Sequence, residues 1–360
     1  MLLHLGPQHP LQPGPFVLDL KLKGEVVQDA QLNIGFNHRS LEKILENRMY
    51  LQCIPLTDRI CYLASISNNE CFCSGVEHLM DITPPLRAQY IRTIMLELSR
   101  IQSHMLGIGE FGSDLGYLSM FLYMIRERES IISLMESVTG SRLNHTFVRV
   151  GGVAADLPEG FKDKTLRTLR SIRDKIIEDD ELMNFDSVYM RRTHGIGVLS
   201  PETAKGLGVA GPPLRASNVE YDLRKTEPRL IYPDIDFNVV TRKEGDVFAR
   251  VKVRLDEMLE SMYIIEQALD SIPSGPVNLN LNPYLIIPPA GEVYARVEDP
   301  RGEMGMYIVS DGTHMPYRLK IRGPAFATMQ ALPPLLKGVY VADVAAIAAS
   351  MDSCVSEVDR

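Results

Sequence analysis

Between Thr83 and Pro273 the chain repeatedly sets apolar side chains three and four residues apart, and four such stripes are most readily buried together in a helix bundle. The first run enters through Thr83, a capping residue, and Pro84 and Pro85, which suit a helix start. Ile91, Ile94, Met95, Leu98, Ile101 and Met105 mark its inward face, and Gly107 and Gly109 are expected to end it. A second helix is expected from about Asp114 to Val138, stopped by Gly140, and a third over roughly 158–179. Asp246 begins a fourth, with Phe248, Val251, Leu255, Met258, Met262 and Leu269 inward and Pro273 at its end.

The flanks read differently. Phe16 to Lys23 alternates, Gly24-Glu25 turns, and Val26-Val27 resumes, the pattern of a β-hairpin with one buried face. A helix is expected around Leu41 to Leu51, after a break at Gly35. Residues 195–236 are rich in Gly and Pro and predict loops and short strands. Residues 291–322 predict strands about the turn Ser310-Asp311-Gly312, and Val341 to Ala349 a short apolar helix. The expected class is α+β, mainly helical. With no repeat, low-complexity tract or clear linker, 1–360 is expected to form one interwoven domain. Its parts are a β region over 1–34, a helical core over 35–275 with the loop insert 195–236, and a β region and tail over 276–360 that returns to the core.

Composition narrows the function. A net charge of −8 gives no general affinity for nucleic acid. No run reaches the ~18 apolar residues of a membrane span, and Met1 to Pro7 lacks the features of a secretory signal. Five unevenly spaced cysteines suit reduced thiols in a cytoplasm. Seventeen methionines and no tryptophan suggest Met-filled cores rather than an adaptable Met surface.

Cys61 and Cys354 stand near opposite ends of the chain, but each lacks a partner at CxxC spacing: Ala64 follows the first by three, Glu357 the second. Two thiolates hold a metal only with other ligands, so the residues alone favour buried thiols. Cys71 and Cys73 are too few for an iron–sulfur cluster. Gly195-Ile196-Gly197 and Gly206-Leu207-Gly208 do not complete a dinucleotide fingerprint, and no HExxH, GxSxG or phosphate loop occurs. Arg126-Glu127-Arg128-Glu129 is by default a solvated face. Asp58-Arg59 before Ile60-Cys61-Tyr62, and Asp114 after a Gly-rich break, are polar groups in apolar company. The Tyr62 phenol can donate a hydrogen bond.

Several ordered segments together resemble one family. They are Gly6 to Pro10, Gly35 to Arg39, Leu86 to Arg92, Gly151 to Val153, Asp299 to Glu303, Pro316 to Arg322 and Glu357 to Arg360. By these the chain is identified as a member of the complex I 49-kDa, or D-type, subunit family, which is related to the large subunits of nickel–iron hydrogenases. Pro10 to Pro15, Arg59 to Leu63, Glu303 to Tyr307 and Met351 to Cys354 are similar to its archaeal branch, which oxidises reduced coenzyme F(420) or ferredoxin and reduces methanophenazine or a quinone.

The resemblance implies a hydrogenase-large-subunit-like bundle in a membrane-associated, ion-translocating oxidoreductase, lying peripherally on the cytoplasmic face. The chain would bind no cofactor alone and not be catalytic alone. A B-type iron–sulfur subunit would carry the adjacent [4Fe-4S] cluster, and a C-type subunit and the membrane-arm subunits would be the other partners. Hydrogenases hold their metals with two CxxC pairs. Cys61 and Cys354 fall on the first members, Ala64 and Glu357 on the second, so the cradle is half dismantled and no metal is expected. Cys61, Cys354 and the His9–Pro13 loop would then line an acceptor pocket. Tyr62 falls on the acceptor-binding tyrosine, where it would act as hydrogen-bond donor and general acid, and Asp114 on the acidic residue behind it, with Asp114 and the Arg126–Glu129 run candidates for its re-protonation. Arg39, Asn144 and His145 would lie near the partner's cluster. Pro13 stands where respiratory enzymes carry a quinone-binding histidine, and Asn144 where they carry a cluster-facing one. The alternatives are a hydrogenase-like or sulfur-reducing metallo-subunit, or a purely structural bridge.

Overall fold

The computed structural model describes residues 1–9 and 14–360, so Pro13 lies outside the described residues. The N-terminal β region is a three-stranded antiparallel sheet, β1 (Leu2–Leu5), β2 (Val17–Lys23) and β3 (Val26–Asn33), in the order β1-β2-β3. The β2–β3 hairpin is the expected one. The four-residue edge strand β1 was not expected, being too short to carry a pattern of its own.

The helix expected over 41–51 is two: α1 (Leu41–Leu45) and α2 (Tyr50–Thr57). The break falls at Met49, which is extended and whose N–H is taken by the Gln52 side chain at 3.2 Å. After a 3-10 turn at Tyr62–Ala64 comes α3 (Ser65–Leu79), which the sequence hides. Its Asn69 and Glu77 look like surface residues but are buried and bonded. Asn69 donates to Ile54 O, Thr57 Oγ1 and Asp58 Oδ1, and Glu77 pairs with Arg92 at 2.6 Å.

The spine is α4 (Leu86–Asp114), packed against α5 (Leu118–Thr139), which ends at left-handed Gly140. The glycines expected to stop α4 lie inside it, and Asp114 closes this helix rather than opening the next. Mid-helix glycine costs about 1 kcal/mol relative to alanine, and packing offsets it here. A Cβ on Gly107 would meet the Asp352 carboxylate at 3.0 Å, and one on Gly109 would meet Met124 at 3.3 Å. The glycines are slots for a carboxylate and for α5.

The two-residue strands β4 (Val148–Arg149) and β5 (Gly152–Val153) precede α6 (Phe161–Phe185) and α7 (Ser187–Thr193). The Gly- and Pro-rich stretch 195–236 holds short helices, not strands. They are α8 (Pro201–Gly206), α9 (Pro212–Ala216) and α10 (Leu223–Thr226), each opened by a serine, an aspartate or a proline. Then α11 (Val247–Ser271), capped by Asp246, lies along α4. A second antiparallel sheet follows, β6 (Gly291–Asp299), β7 (Gly302–Ser310) and β8 (Arg318–Arg322). The chain ends in α12 (Pro324–Met329), α13 (Leu332–Leu336), α14 (Val341–Ser350) and α15 (Val355–Asp359). The last residues fold back on the N-terminal part: Asp359 accepts from the Gly35 and Asn37 amides at 2.8 and 2.7 Å. Met95, Met105, Met258, Met262, Met304 and Met306 are buried in the core, as the composition suggested.

Inside this frame runs a chain of buried ions. Arg224 pairs with Asp222 and Glu97, and Arg215 bonds Glu298 at 2.8 Å and Glu257 at 2.6 Å. Glu257 also bonds His104 Nε2 at 3.0 Å. Beyond it Arg254 faces Asp352 at 3.7 Å, and Asp352 is held by Arg301 at 2.9 Å. Such ions lower the energy of the fold only while each keeps its partners. They tie α4, α9, α10, α11 and the β6–β7 turn into one register, and the chain ends beside a cleft.

Candidate functional site

The cleft is set by the β6–β7 turn. Asp299 Oδ1 accepts the Arg301 amide at 2.9 Å, and Gly302 closes the turn at φ 126°. Opposite it stands Gly211 at φ 69°, where a Cβ would lie 2.2 Å from Arg301 O. Only two glycines back to back let the turn press this far inward. The pressing buries Arg301, whose guanidinium reaches Asp352 O and Oδ1 at 2.9 Å each, Ser103 Oγ at 3.0 Å and Cys61 Sγ at 3.6 Å.

Cys61 precedes the Tyr62–Ala64 turn and Cys354 caps α15, so two distant segments put their thiols side by side. The hydrogen bond to Cys354, then burial, pushes the Cys61 thiol well up. The same bond, with Arg301 nearby, holds Cys354 below its ordinary value. The pair therefore favours a Cys61 thiol donating to a Cys354 thiolate. Glu357, whose Oε1 accepts the Ala325 amide at 2.7 Å, is pushed strongly toward its neutral acid by burial and by Asp299. Cys61, Cys354 and Glu357 bring one donor atom each within 4.8 Å of one another. The fourth hydrogenase position is Ala64, which has no donor, and a neutral carboxyl is a poor ligand. The residues present do not fit a nickel–iron centre.

Above the thiols opens a cleft of about 440 Å³, mouth included, lined in part by Tyr62, Glu110, Arg301, Asp352 and Cys354, with Gly14 and Pro15 of the N-terminal loop. Tyr62 is 44% exposed, so its phenol is open to a ligand. Burial and the facing Glu110 raise its pKa. The wall is braced by Arg128, which donates to Gln102 Oε1 at 2.8 Å, while Gln102 bonds Leu63 O. A roomier cleft of about 860 Å³, lined by Leu51, Val150 and Leu281 among others, has Arg149 as its one titratable side chain and is a poor place for proton chemistry.

Glu110 and Asp114 lie one turn apart at the end of α4. Burial, reinforced by Asp352, raises Glu110 to about 7, and burial raises Asp114 to about 6. The Arg126–Glu129 run does not act as a unit. Arg128 faces the cleft wall, Glu127 bonds Lys175 of α6 at 3.0 Å, and Glu129 bonds Arg142.

Of the residues expected near the cluster, Arg39 is tied to the cleft rim. Arg39 donates to Arg59 O at 2.8 Å and to Ser356 O at 3.4 Å, and Ser356 lines the cleft rim with Asn37. Asp58, adjacent to Arg59, bonds Thr146, next to His145 and Asn144. His145 is buried against Ser65 Oγ at 2.6 Å, and burial lowers it to about 4. Asn144 is left-handed at φ 53°, and among the described residues its buried Oδ1 has no partner. His9 is half-buried on the N-terminal loop.

Residue-level reading missed Arg301, Asp352 and Glu110. Arg301 sits in the Asp299–Glu303 segment, whose buried charge was the available signal. Glu110 was masked by the glycines taken to end α4.

Residues 114–288 and 282–360 match the family model of the respiratory-chain NADH dehydrogenase 49-kDa subunit. The chain is 57% identical over 365 residues to the D-type subunit of the F(420)H(2) dehydrogenase of Methanosarcina mazei, covering all of this chain and 98% of that one. It is 44% identical over 386 residues to a D-type subunit of the NADH-quinone oxidoreductase of Rhizobium etli, covering all of this chain and 95% of that one. Among solved structures, a chain of the membrane-bound sulfane sulfur reductase, an archaeal respiratory membrane complex, superposes with a TM-score of 0.95. It is 38% identical, with all of this chain and 98% of that one covered. No helix of the described residues is long and apolar enough to cross a membrane.

Proposed function

The chain belongs to the 49-kDa subunit family of respiratory-chain NADH dehydrogenases and is a subunit of a complex I-like membrane oxidoreductase, and from that premise we propose that its cleft is where the complex reduces its lipid-soluble acceptor. The observation that carries this reading is the half-exposed Tyr62 phenol facing Glu110 across a cleft floored by Cys354 and Arg301.

Electrons would come one at a time from a [4Fe-4S] cluster of a neighbouring B-type subunit seated over Arg39, Asn144 and His145. The donor would be reduced coenzyme F(420) or ferredoxin, and the acceptor methanophenazine or a quinone. The 57% identity to a component of an F(420)H(2) dehydrogenase favours the deazaflavin branch. Tyr62 anchors the acceptor by a hydrogen bond, and Asp114 takes part in proton supply. Cys354 lies in the floor with Cys61 buried beside it, a pair that holds no nickel. Exposed apolar side chains such as Leu118, Leu122, Phe185 and Val188 suit partner subunits, including the C-type subunit and the membrane arm. The chain folds as one interwoven domain and lies peripherally on the cytoplasmic face. A sulfur-reducing reading has one observation in its favour, the 38% identity to a chain of a membrane-bound sulfane sulfur reductase. The 57% identity to a subunit of an F(420)H(2) dehydrogenase outweighs it.

The test is Tyr62→Phe in the whole complex. One oxygen is lost and the ring stays, so assembly should persist. A neutral hydrogen bond contributes about 0.5–1.5 kcal/mol, so turnover with a phenazine or quinone analogue should fall by roughly two- to tenfold or more. Reduction of the iron–sulfur clusters by the electron donor should be unchanged. Unaltered turnover with both acceptor classes would sink the assignment.

A further inference from the structure

We infer that Glu110 is the carboxyl that protonates the acceptor in this cleft, an assignment that rests on the acceptor-site reading and deepens it.

Four observations carry it. Glu110 lines the same cleft as Tyr62, so one bound ring can meet both. It is unlike the buried acids of the ion chain that runs up to the cleft. Glu97, Glu257, Glu298 and Asp352 are each locked to an arginine, whereas Glu110 has no hydrogen bond or ion pair among the described residues. A carboxylate held ionised by an arginine has no proton to give at neutral pH, whereas a carboxyl left unpaired at a cleft wall can keep one. Third, Tyr62 is a poor proton source by itself, since burial and Glu110 push its pKa upward. Fourth, Asp114 lies one turn further along α4 and is partly exposed, so it can return a proton to Glu110 from the helix end.

The groups facing Glu110 set its proton affinity. Asp352 and Cys354 face it from the segment joining α14 to α15, and Asp114 from its own helix. Arg301 faces it from the β6–β7 turn, Arg128 from α5, and Tyr62 from the 3-10 turn. Burial and the acids outweigh the two arginines, and the carboxyl is held near pH 7, where a general acid is most effective.

In the step itself, one electron, which the neighbouring subunit's iron–sulfur cluster would supply, enters the acceptor ring. The Glu110 O–H bond breaks and an N–H bond to a phenazine nitrogen, or an O–H bond to a quinone oxygen, forms. Glu110 is left as a carboxylate and regains a proton through Asp114. A second electron and a second proton complete the reduced acceptor.

The experiment compares Glu110→Gln, Glu110→Asp and Tyr62→Phe in the purified whole complex, with a phenazine and a quinone analogue, across pH 5.5 to 8.5. Wild-type turnover should decline as pH rises through about 7, because the acid form is lost. Glu110→Gln should lower turnover about 10- to 100-fold, flatten that decline, and leave donor-driven cluster reduction untouched. Glu110→Asp should retain more activity than the glutamine variant and keep a pH-dependent decline. Glu110→Gln with wild-type rate and pH profile, beside an impaired Tyr62→Phe, overturns the role of Glu110 and leaves the acceptor site standing. Wild-type behaviour of both variants overturns the two together. If the glutamine variant does not assemble, the aspartate variant decides: a flat pH profile overturns the assignment, and a retained decline supports it.

Discussion

Arg215→Met is expected to leave the complex with little or no correctly incorporated 49-kDa-type chain. The guanidinium is fully buried between Glu257, Glu298 and Asp222 and also donates to Tyr221 O at 3.0 Å. Methionine fills much of the volume but none of the charge. Asp222 would keep Arg224, and Glu257 would keep His104. Glu298 would be left with the Leu223 amide at 3.1 Å as its one hydrogen bond among the described residues. Breaking a buried ion pair from one side costs about 3–5 kcal/mol, against a typical domain stability of about 5–15 kcal/mol. Thermal unfolding of the purified complex, with quantitation of this chain, reads the effect. The double variant Arg215→Met, Glu298→Gln should recover part of the loss, because the orphaned charge is then removed. A single variant as stable as wild type would show that the ion chain is not what holds α9 against α11.

Arg301→Met should be nearly as costly to the fold, and it should also change the chemistry of the cleft. Its loss strips Asp352 of the partner at 2.9 Å and leaves Arg254 at 3.7 Å. The same desolvation penalty gives about 3–5 kcal/mol. Locally, Arg301 draws the Cys354 thiol down, so removing its charge moves Cys354 upward. Less thiolate is then present at neutral pH, and thiolate is the reactive form. Alkylation of Cys354 by a small haloacetamide at pH 7 should therefore slow in Arg301→Met, while Arg215→Met, remote from the thiol, should leave the rate in surviving complexes unchanged. Equal alkylation rates in Arg301→Met and wild type would mean that the arginine does not set the state of the thiol pair.

Much of this was legible in the chain. The stripe from Ile91 to Met105, the Asp246 cap and the alternation from Phe16 to Lys23 each produced the element expected, because one face is apolar and the other is not. Reading failed where burial is polar. Helix α3 carries Asn69 and Glu77 inward because Asp58 and Arg92 meet them there, and no hydrophobic period records such pairs. Gly107 and Gly109 resembled stops because a slot for Asp352 or α5 looks identical, in sequence, to a break. At the site, Cys61, Cys354, Ala64 and Glu357 were recognisable from their spacing in the family. That three of them would converge, with one thiol favoured as donor and the other as thiolate, needed Arg301 and the fold. Glu110 carried no spacing signal, and its importance comes only from what surrounds it.

The central claim is that the acceptor is reduced in the cleft between Tyr62 and Cys354. A cryo-EM map of the assembled complex with a phenazine or quinone analogue bound tests it most directly. The ring is expected in that cleft, with one polar ring atom at hydrogen-bond distance, about 2.5–3.2 Å, from the Tyr62 hydroxyl. The Glu110 carboxyl is expected on the same ring, with no metal density among Cys61, Cys354 and Glu357. An analogue bound elsewhere while a partner protein seals the cleft, or a metal ion bridging the two thiols, would contradict it.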